Sequence, residues 1–279
     1  MKTLKNLLFL FLFVLLTALS QVGGLILLLW WLLYQFFKKR FKNAWVRGGV
    51  NVGGFAVFYL FCMFAIVPPL ARLQDRVALP MSKSGTLVPV SYWTAIFGRN
   101  YIKSKGRAKL ETIAEVFVKK HPGIQVKYMD CNYPFSVDIP GKQNTWILEG
   151  LLPHITHDGT KADIALIYND ANGKPMNDTP TFFGYGSSVD PKPDETCTPC
   201  ICDSKNWQYS FMYRNIPRTD YPLNKELSAE LIKIFDRNLL EKIFLEKHLQ
   251  QRFNLHGKFA QAGCHSVRHD DHFHVTLCQ

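Results

Sequence analysis

Two long apolar stretches dominate the first quarter of the chain, and the remainder alternates short apolar runs with polar, turn-rich segments. From Leu7 to Phe37 no residue is charged, and a second uncharged stretch lies between Arg47 and Arg72. Each exceeds the roughly 18 apolar residues at which a membrane span becomes a better reading than a buried helix. At least two spans are therefore expected. The first run is long for one crossing, because 31 residues at about 1.5 Å each outreach a hydrocarbon core of about 30 Å. It reads either as one tilted helix with an external N-terminus or as two short segments broken near Gly23 and Gly24, with Lys2 and Lys5 inside. A signal peptide is a third reading, since Lys2 and Lys5, an apolar core and Ala18-Leu19-Ser20 resemble its three regions. The apolar sequence resuming at Gly24 argues against cleavage.

Beyond Leu70 the pattern changes. Residues 70 to about 105 read as a juxtamembrane connector with a strand at Leu87 to Trp93. Leu110, Ile113, Ala114 and Phe117 recur at helical spacing within Gly106 to Lys120, and His121-Pro122-Gly123 ends that helix. Ile124 to Tyr128 alternates as a strand does, whereas Trp146 to Leu152 suits helix or strand alike. Asp163 opens the apolar run Ile164 to Tyr168, which has the length of a buried strand. Residues 169 to 205, rich in Asn, Asp, Gly, Pro and Cys, form a long loop. Leu227 to Phe235 and Lys247 to Phe253 read as helices, Ile243 to Leu245 as a short strand, and His272 to Leu277 as a final strand. Without regular βαβ alternation this mixture is α+β. The organisation expected is a membrane anchor over 1–72, a connector over 73–104 and a folded domain over 105–279.

The net charge of +11 suggests nucleic acid until its position is considered. Residues 1–72 hold eight Lys and Arg and no Asp or Glu, which leaves 25 basic against 22 acidic residues downstream. No basic run there adjoins an aromatic platform, so nucleic-acid binding is not expected. Lys38, Lys39, Arg40, Lys42 and Arg47 crowd the loop between the apolar runs, where positive charge marks the cytoplasmic side. That places everything after Leu70 outside. Cysteines agree: Cys62 falls in the second span, and Cys131, Cys197, Cys200, Cys202, Cys264 and Cys278 make an even set for disulfides in an oxidising compartment. Cys264 and Cys278 bracket the last histidines and are a plausible pair. The Cys197-Thr198-Pro199-Cys200-Ile201-Cys202 cluster could hold a metal, but no second Cys/His pair follows at zinc-ribbon spacing.

Near the C-terminus, His269-Asp270-Asp271-His272-Phe273-His274 sets three histidines within six positions. On a strand, residues two apart share a face, so His272 and His274 project together. A solvated histidine-rich tail is the plain alternative, but it would expose Val275 and Leu277 and leave Cys278 unexplained. Upstream, His154-Ile155-Thr156-His157-Asp158-Gly159 leads to Asp163 at the entrance of a buried strand. Taken singly these are ordinary loop histidines and a surface carboxylate. Taken together they supply the two imidazoles and one carboxylate that a catalytic zinc site takes, with a fourth position open.

The pattern of His, a glycine-containing spacer, Asp and a late His-x-His resembles the superfamily of lysostaphin-type peptidases, D-Ala-D-Ala peptidases and the hedgehog signalling domain. His154-x-x-His157 and His269-Asp270-Asp271-His272-Phe273-His274 are most similar to the penicillin-insensitive murein endopeptidases. The resemblance covers about residues 105–279. It implies a small antiparallel sheet with flanking helices, zinc held by His157, Asp163 and His274, and His154, His269 and His272 lining the site as catalytic candidates. It further implies a substrate peptide of bacterial peptidoglycan with a D-Ala-containing bond, reached from the outer side of the cytoplasmic membrane. One spacing differs: the family places its aspartate seven residues after the first histidine, and here His157 to Asp163 is six. Zinc in such a site lowers the pKa of its water towards about 7 and polarises a scissile carbonyl. A base and an oxyanion donor are also needed, for which His272 and His269 are the candidates and Glu149 a weaker one. A catalytically silent zinc-fold binding module and a membrane-bound metal-binding protein are the alternatives. The sequence gives no indication of oligomeric state.

Overall fold

The first apolar run breaks at the one place where its residues permit a tight reversal. The computed structural model describes residues 2–136, 158–198, 201, 216–238, 240–257, 259–261 and 268–278. In it, helix α1 (Lys2–Ser20) and helix α2 (Gly23–Phe37) form a hairpin. Gln21 makes the turn in the left-handed region, at φ 64°. Gly23 then packs so closely on α1 that a Cβ there would lie 2.7 Å from the Leu16 carbonyl oxygen. The two-segment reading of this run is the observed one, and the single tilted helix is set aside.

A 3₁₀ turn (Lys38–Arg40) carries the basic residues, and Asn43 caps the next helix by accepting from the Trp45 N–H at 2.8 Å. Helix α3 (Ala44–Phe61) continues through a π-helical stretch (Cys62–Ile66) into α4 (Val67–Arg72). Among the described residues two helical segments are long and apolar enough to cross a membrane, Thr3–Ser20 and the continuous Ala44–Arg72. Helix α2, with 15 residues, is shorter than the roughly 20 that a full crossing takes. The hairpin tip and the end of α3 both meet the rest of the chain. The Gln21 side-chain amide donates to the Phe135 carbonyl at 2.9 Å and accepts from its N–H at 3.1 Å. Tyr133 Oη donates to the Ala18 carbonyl at 2.6 Å.

The remaining chain builds a mixed α+β unit. Strand β1 (Arg76–Ala78) pairs antiparallel with β3 (Tyr101–Lys103). The main sheet comprises β2 (Leu87–Pro89), β4 (Val126–Tyr128), β5 (Lys161–Ala165), β9 (His272–Leu277) and β8 (Leu240–Phe244), in that order. Its β2–β4 pair is parallel and the others antiparallel. Of the strand expected over Leu87 to Trp93 in the connector, Leu87–Pro89 forms the edge strand, and Trp93 instead opens a short helix, α5 (Trp93–Ile96). Within the expected long loop, β6 (Tyr168–Asn169) and β7 (Pro175–Met176) form a small hairpin.

Period-two alternation decides which side of the sheet is which. Ile164 and Phe273 are opposite each other and fully buried; they face helices α6 (Ser104–Lys120) and α7 (Lys225–Arg237), with Phe273 edge-on to Phe235 at 5.1 Å between centroids. Helix α6 contributes Leu110, Ile113, Ala114 and Phe117 to that core, the four positions its helical spacing predicted. Helix α7 is capped by Asn224, whose side chain accepts from the Leu227 N–H at 2.9 Å. A final short helix, α8 (Lys247–Arg252), follows β8. Phe273→Ala removes a fully buried ring and is expected to cost about 3–5 kcal/mol, read as a lowered denaturation midpoint of the detergent-solubilised chain.

Cys197 is disulfide-bonded, to a cysteine outside the described residues, whereas Cys131 and Cys278 are free. The Cys264–Cys278 pairing is therefore not formed: β9 carries Cys278 to the sheet end beside Gly106 and Gly159, and it is exposed there. Cys131 is buried in the core, and that burial pushes its thiol pKa well up.

Candidate functional site

The face of β5 and β9 turned away from the helices is polar and almost closed to solvent. Register places Asp163 opposite His274 and Ala165 opposite His272, so these four side chains share one face. Asp163, His272 and His274 are 2%, 0% and 8% exposed, a degree of burial that a charged group tolerates only when it is partnered. Asp163 stands in the middle of β5, two residues further into the strand than its sequence context suggests. Its backbone is held by β4's extension, with Met129 N–H donating to its carbonyl and its own N–H donating to the Asp130 carbonyl, each at 2.8 Å.

The Asp163 carboxylate collects donors from two directions. His274 Nδ1 donates to Oδ1 at 2.6 Å, and Tyr185 Oη donates to Oδ2 at 2.5 Å. His272 Nε2 lies 3.8 Å from Oδ2 and has no hydrogen-bond partner among the described residues. The other nitrogen of that ring, Nδ1, donates to Asp271 Oδ1 at 2.5 Å, and Asp271 Oδ2 accepts from the Gly186 N–H at 2.6 Å. Burial alone would disfavour the imidazolium of His272, but Asp163 and Asp271 outweigh it and raise the pKa to about 9. His269 completes a group of three imidazoles, its ring centroid 4.9 Å from His272 and 5.8 Å from His274. Phe244 closes the side, stacked on His269 at 5.7 Å and edge-on to His274 at 5.4 Å.

The carboxylates around this group differ in their charge tendencies. Asp270, fully buried, is pushed up to about 7 by that burial against the pull of Arg268. Glu246 is likewise raised by burial; it accepts from the His269 N–H at 3.3 Å and from Thr198 Oγ1 at 3.1 Å. Glu195 behaves oppositely, because Arg252 Nε donates to its Oε1 at 2.7 Å and holds its pKa down at about 2. Its folded pKa is depressed, so its contribution to stability is present above about pH 4.5 and lost as pH falls towards 2. Thermal midpoints of the chain and of Glu195→Gln should differ most above pH 4.5 and converge as pH falls towards 2.

Of the residues singled out from sequence, Asp163, His269, His272 and His274 come together; His154, His157 and Glu149 lie outside the described residues. Arg76 marks where that segment joins the fold. Buried on β1, it donates to the Tyr133 carbonyl at 2.5 Å and to Ser136 Oγ at 2.6 Å. Gly159, with φ at 92°, sits where a Cβ would come 3.2 Å from Arg76 Nε. Arg76 thus stands beside both boundaries of 137–157, the segment carrying His154 and His157. Tyr185 and Asp271 were not anticipated. Asp271 directly precedes His272 and lies two residues after His269, which was a usable signal, but Tyr185 is delivered by the turn at Gly184, where a Cβ would meet Met129 Cε at 2.8 Å.

No protein-family model and no curated protein matches this chain. The donor set itself can be tested against zinc. Asp163 Oδ1 and His274 Nδ1 converge, and their 2.6 Å separation is shorter than the ~3.3 Å between neighbouring ligands on tetrahedral zinc with bonds of about 2.0–2.1 Å. A slight opening of the pair and release of the shared proton would admit the ion. The unpartnered Nε2 of His272 points to the same place. Among the described residues no group of three His, Cys, Asp or Glu donors forms a metal site, and the third donor implied by the resemblance, His157, lies outside them.

Proposed function

We propose that the chain is a membrane-anchored zinc peptidase acting on peptide cross-links of bacterial peptidoglycan, with His157, Asp163 and His274 as ligands. The observation that carries this reading is the buried convergence of Asp163 and His274 across paired strands, with a third imidazole, His272, aimed at the same carboxylate. A stability role alone gives little reason to bury three imidazoles together, since each carries a desolvation cost when charged. Zinc would supply Lewis acidity and a lowered water pKa at this point. The protein's own groups supply the rest. Asp271 fixes the His272 ring through Nδ1, leaving Nε2 to donate to a developing oxyanion. Tyr185 orients the Asp163 carboxylate, and Phe244 keeps water from one side of the imidazole group.

The membrane side follows from charge. The basic residues between α2 and α3 favour the cytoplasmic face, which leaves the domain outside the bacterial cytoplasmic membrane, within reach of the wall. A periplasm-dependent reporter fused after Gln279 should be active, and activity of a strictly cytoplasmic reporter there would refute the orientation. For the chemistry, purified peptidoglycan incubated with the detergent-solubilised chain should release muropeptides shortened at a D-Ala-containing bond, by mass spectrometry. Chelator should stop the release and zinc restore it. Zinc bound tightly with no change in the muropeptides would favour a silent binding module instead.

A further inference from the structure

The outer end of the anchor is attached to a part of the domain that turns aromatic side chains outward. Tyr59 Oη donates to the Ile96 carbonyl at 3.1 Å, tying α3 to α5. Gly98, at φ 63°, lets the same segment approach so closely that a Cβ there would stand 2.7 Å from Met63 Cε. Tyr59 is fifteen residues beyond Ala44, about 22 Å along the helix, in a bilayer core of about 30 Å. If the core begins near Trp45, which is 90% exposed beside the basic loop, then Tyr59 lies about 21 Å and Met63 about 27 Å into it, which puts Met63, against which Gly98 packs, near its outer boundary. Helix α5 therefore lies at the level where amphipathic aromatic side chains collect in membrane proteins.

The side chains at that level fit the environment. Tyr92 and Trp93 are 43% and 42% exposed, and Trp93 stacks on Phe97 at 5.5 Å. Beside them opens a groove of about 500 Å³, which Phe182, Lys83, Lys127 and Asp178 also line. The Lys83 ammonium lies over the Tyr92 ring, 5.4 Å from its centroid. Two ammonium groups against one carboxylate give the groove a net positive charge next to apolar rings. Lysine stems can lie along such surfaces while their heads reach phosphate, and juxtamembrane lysines are attracted to anionic headgroups.

We propose that this face is a second membrane contact, in which Tyr92, Trp93 and Phe182 enter the headgroup layer and Lys83 and Lys127 bind the phosphate of an anionic phospholipid. The proposal rests on the membrane reading of the anchor and is independent of the zinc reading. It adds a direct lipid contact to the hydrogen bonds by which the anchor already holds the domain, from Gln21 to Phe135, Tyr133 to Ala18 and Tyr59 to Ile96.

The test uses the full chain in vesicles of phosphatidylcholine, alone or mixed with phosphatidylglycerol, with bromine placed near the headgroup or deep in the acyl chains. The Trp93 signal is the fluorescence difference between the chain and Trp93→Phe. Headgroup-proximal bromine should quench that signal more than deep bromine, and phosphatidylglycerol should increase the quenching. Lys83→Gln and Lys127→Gln should each lower the ratio of docked to undocked domain about fivefold in the anionic vesicles, with little change in phosphatidylcholine alone. A Trp93 signal quenched from water by iodide and untouched by either brominated lipid overturns the proposal while leaving the anchor intact. Shielding of Trp93 by added peptidoglycan fragments, without lipid quenching, overturns it in favour of a substrate groove. A chain that never incorporates into the vesicles overturns the membrane reading and this proposal together.

Discussion

Asp163→Ala is expected to leave the chain without zinc and without hydrolysis. The carboxylate sits 2% exposed between a histidine and a tyrosine that both donate to it. Removing it takes away one proposed ligand and the two buried hydrogen bonds it accepts from Tyr185 Oη and His274 Nδ1, each worth about 0.5–1.5 kcal/mol or more. The variant should therefore show three effects at once: no retained metal, no muropeptide release and a lower denaturation midpoint. Asp163→Asn separates them, because an amide oxygen can still accept from Tyr185 while the anionic ligand is gone. It should recover much of the stability and none of the metal. His274→Ala is expected to match Asp163→Ala in metal and activity. Metal analysis and the peptidoglycan digest read both, and a fully loaded, active Asp163→Ala chain would remove Asp163 from the ligand set.

His272→Ala should behave differently, keeping close to one zinc per chain while losing turnover by about 10²-fold or more, the scale for an oxyanion donor or general acid–base group. The distinction comes from register. His274 faces Asp163 directly, whereas His272 faces Ala165 and reaches the carboxylate only at 3.8 Å. Its Cα is roughly 6–7 Å along the strand from that of His274, far enough for its ring to stand beside a metal ligand without being one. Asp271 should act through His272: losing its carboxylate frees the ring to rotate, so Asp271→Asn should lower turnover while zinc content stays near that of the unaltered chain. If His272→Ala is empty of zinc and His274→Ala is loaded, the two roles are exchanged.

Much of this arrangement is written in short-range patterns. The alternation of His272, His274 and Thr276 with Phe273, Val275 and Leu277 predicts β9 and its two faces, and both are observed. The apolar stripe of α6 and the core of α7 were equally legible, because helical periodicity over three or four turns is a strong signal. Strand β2 was legible only in outline, as the start of a strand expected over Leu87 to Trp93; its three residues carry no periodicity, and pairing with β4 sets its bounds. The start of β5 was read two residues late because Lys161 and Ala162 look like loop; pairing with Thr276 and Val275 makes them strand. Tyr185 had no local signal at all. It lies 22 residues from the carboxylate it holds, and only the folded course of the Gly184–Gly186 turn brings it there. The hairpin in the anchor was legible as one of two options, and the left-handed turn at Gln21 decides between them.

The most direct measurement is the zinc content of the purified full chain and of its His274→Ala variant after equilibration with trace metal and removal of loosely bound ions. One zinc per chain, removable by chelator together with peptidoglycan hydrolysis, and none in His274→Ala, is the expected result. A native chain that stays metal-free, or a His274→Ala chain that keeps both its zinc and its hydrolysis, would contradict the proposed site.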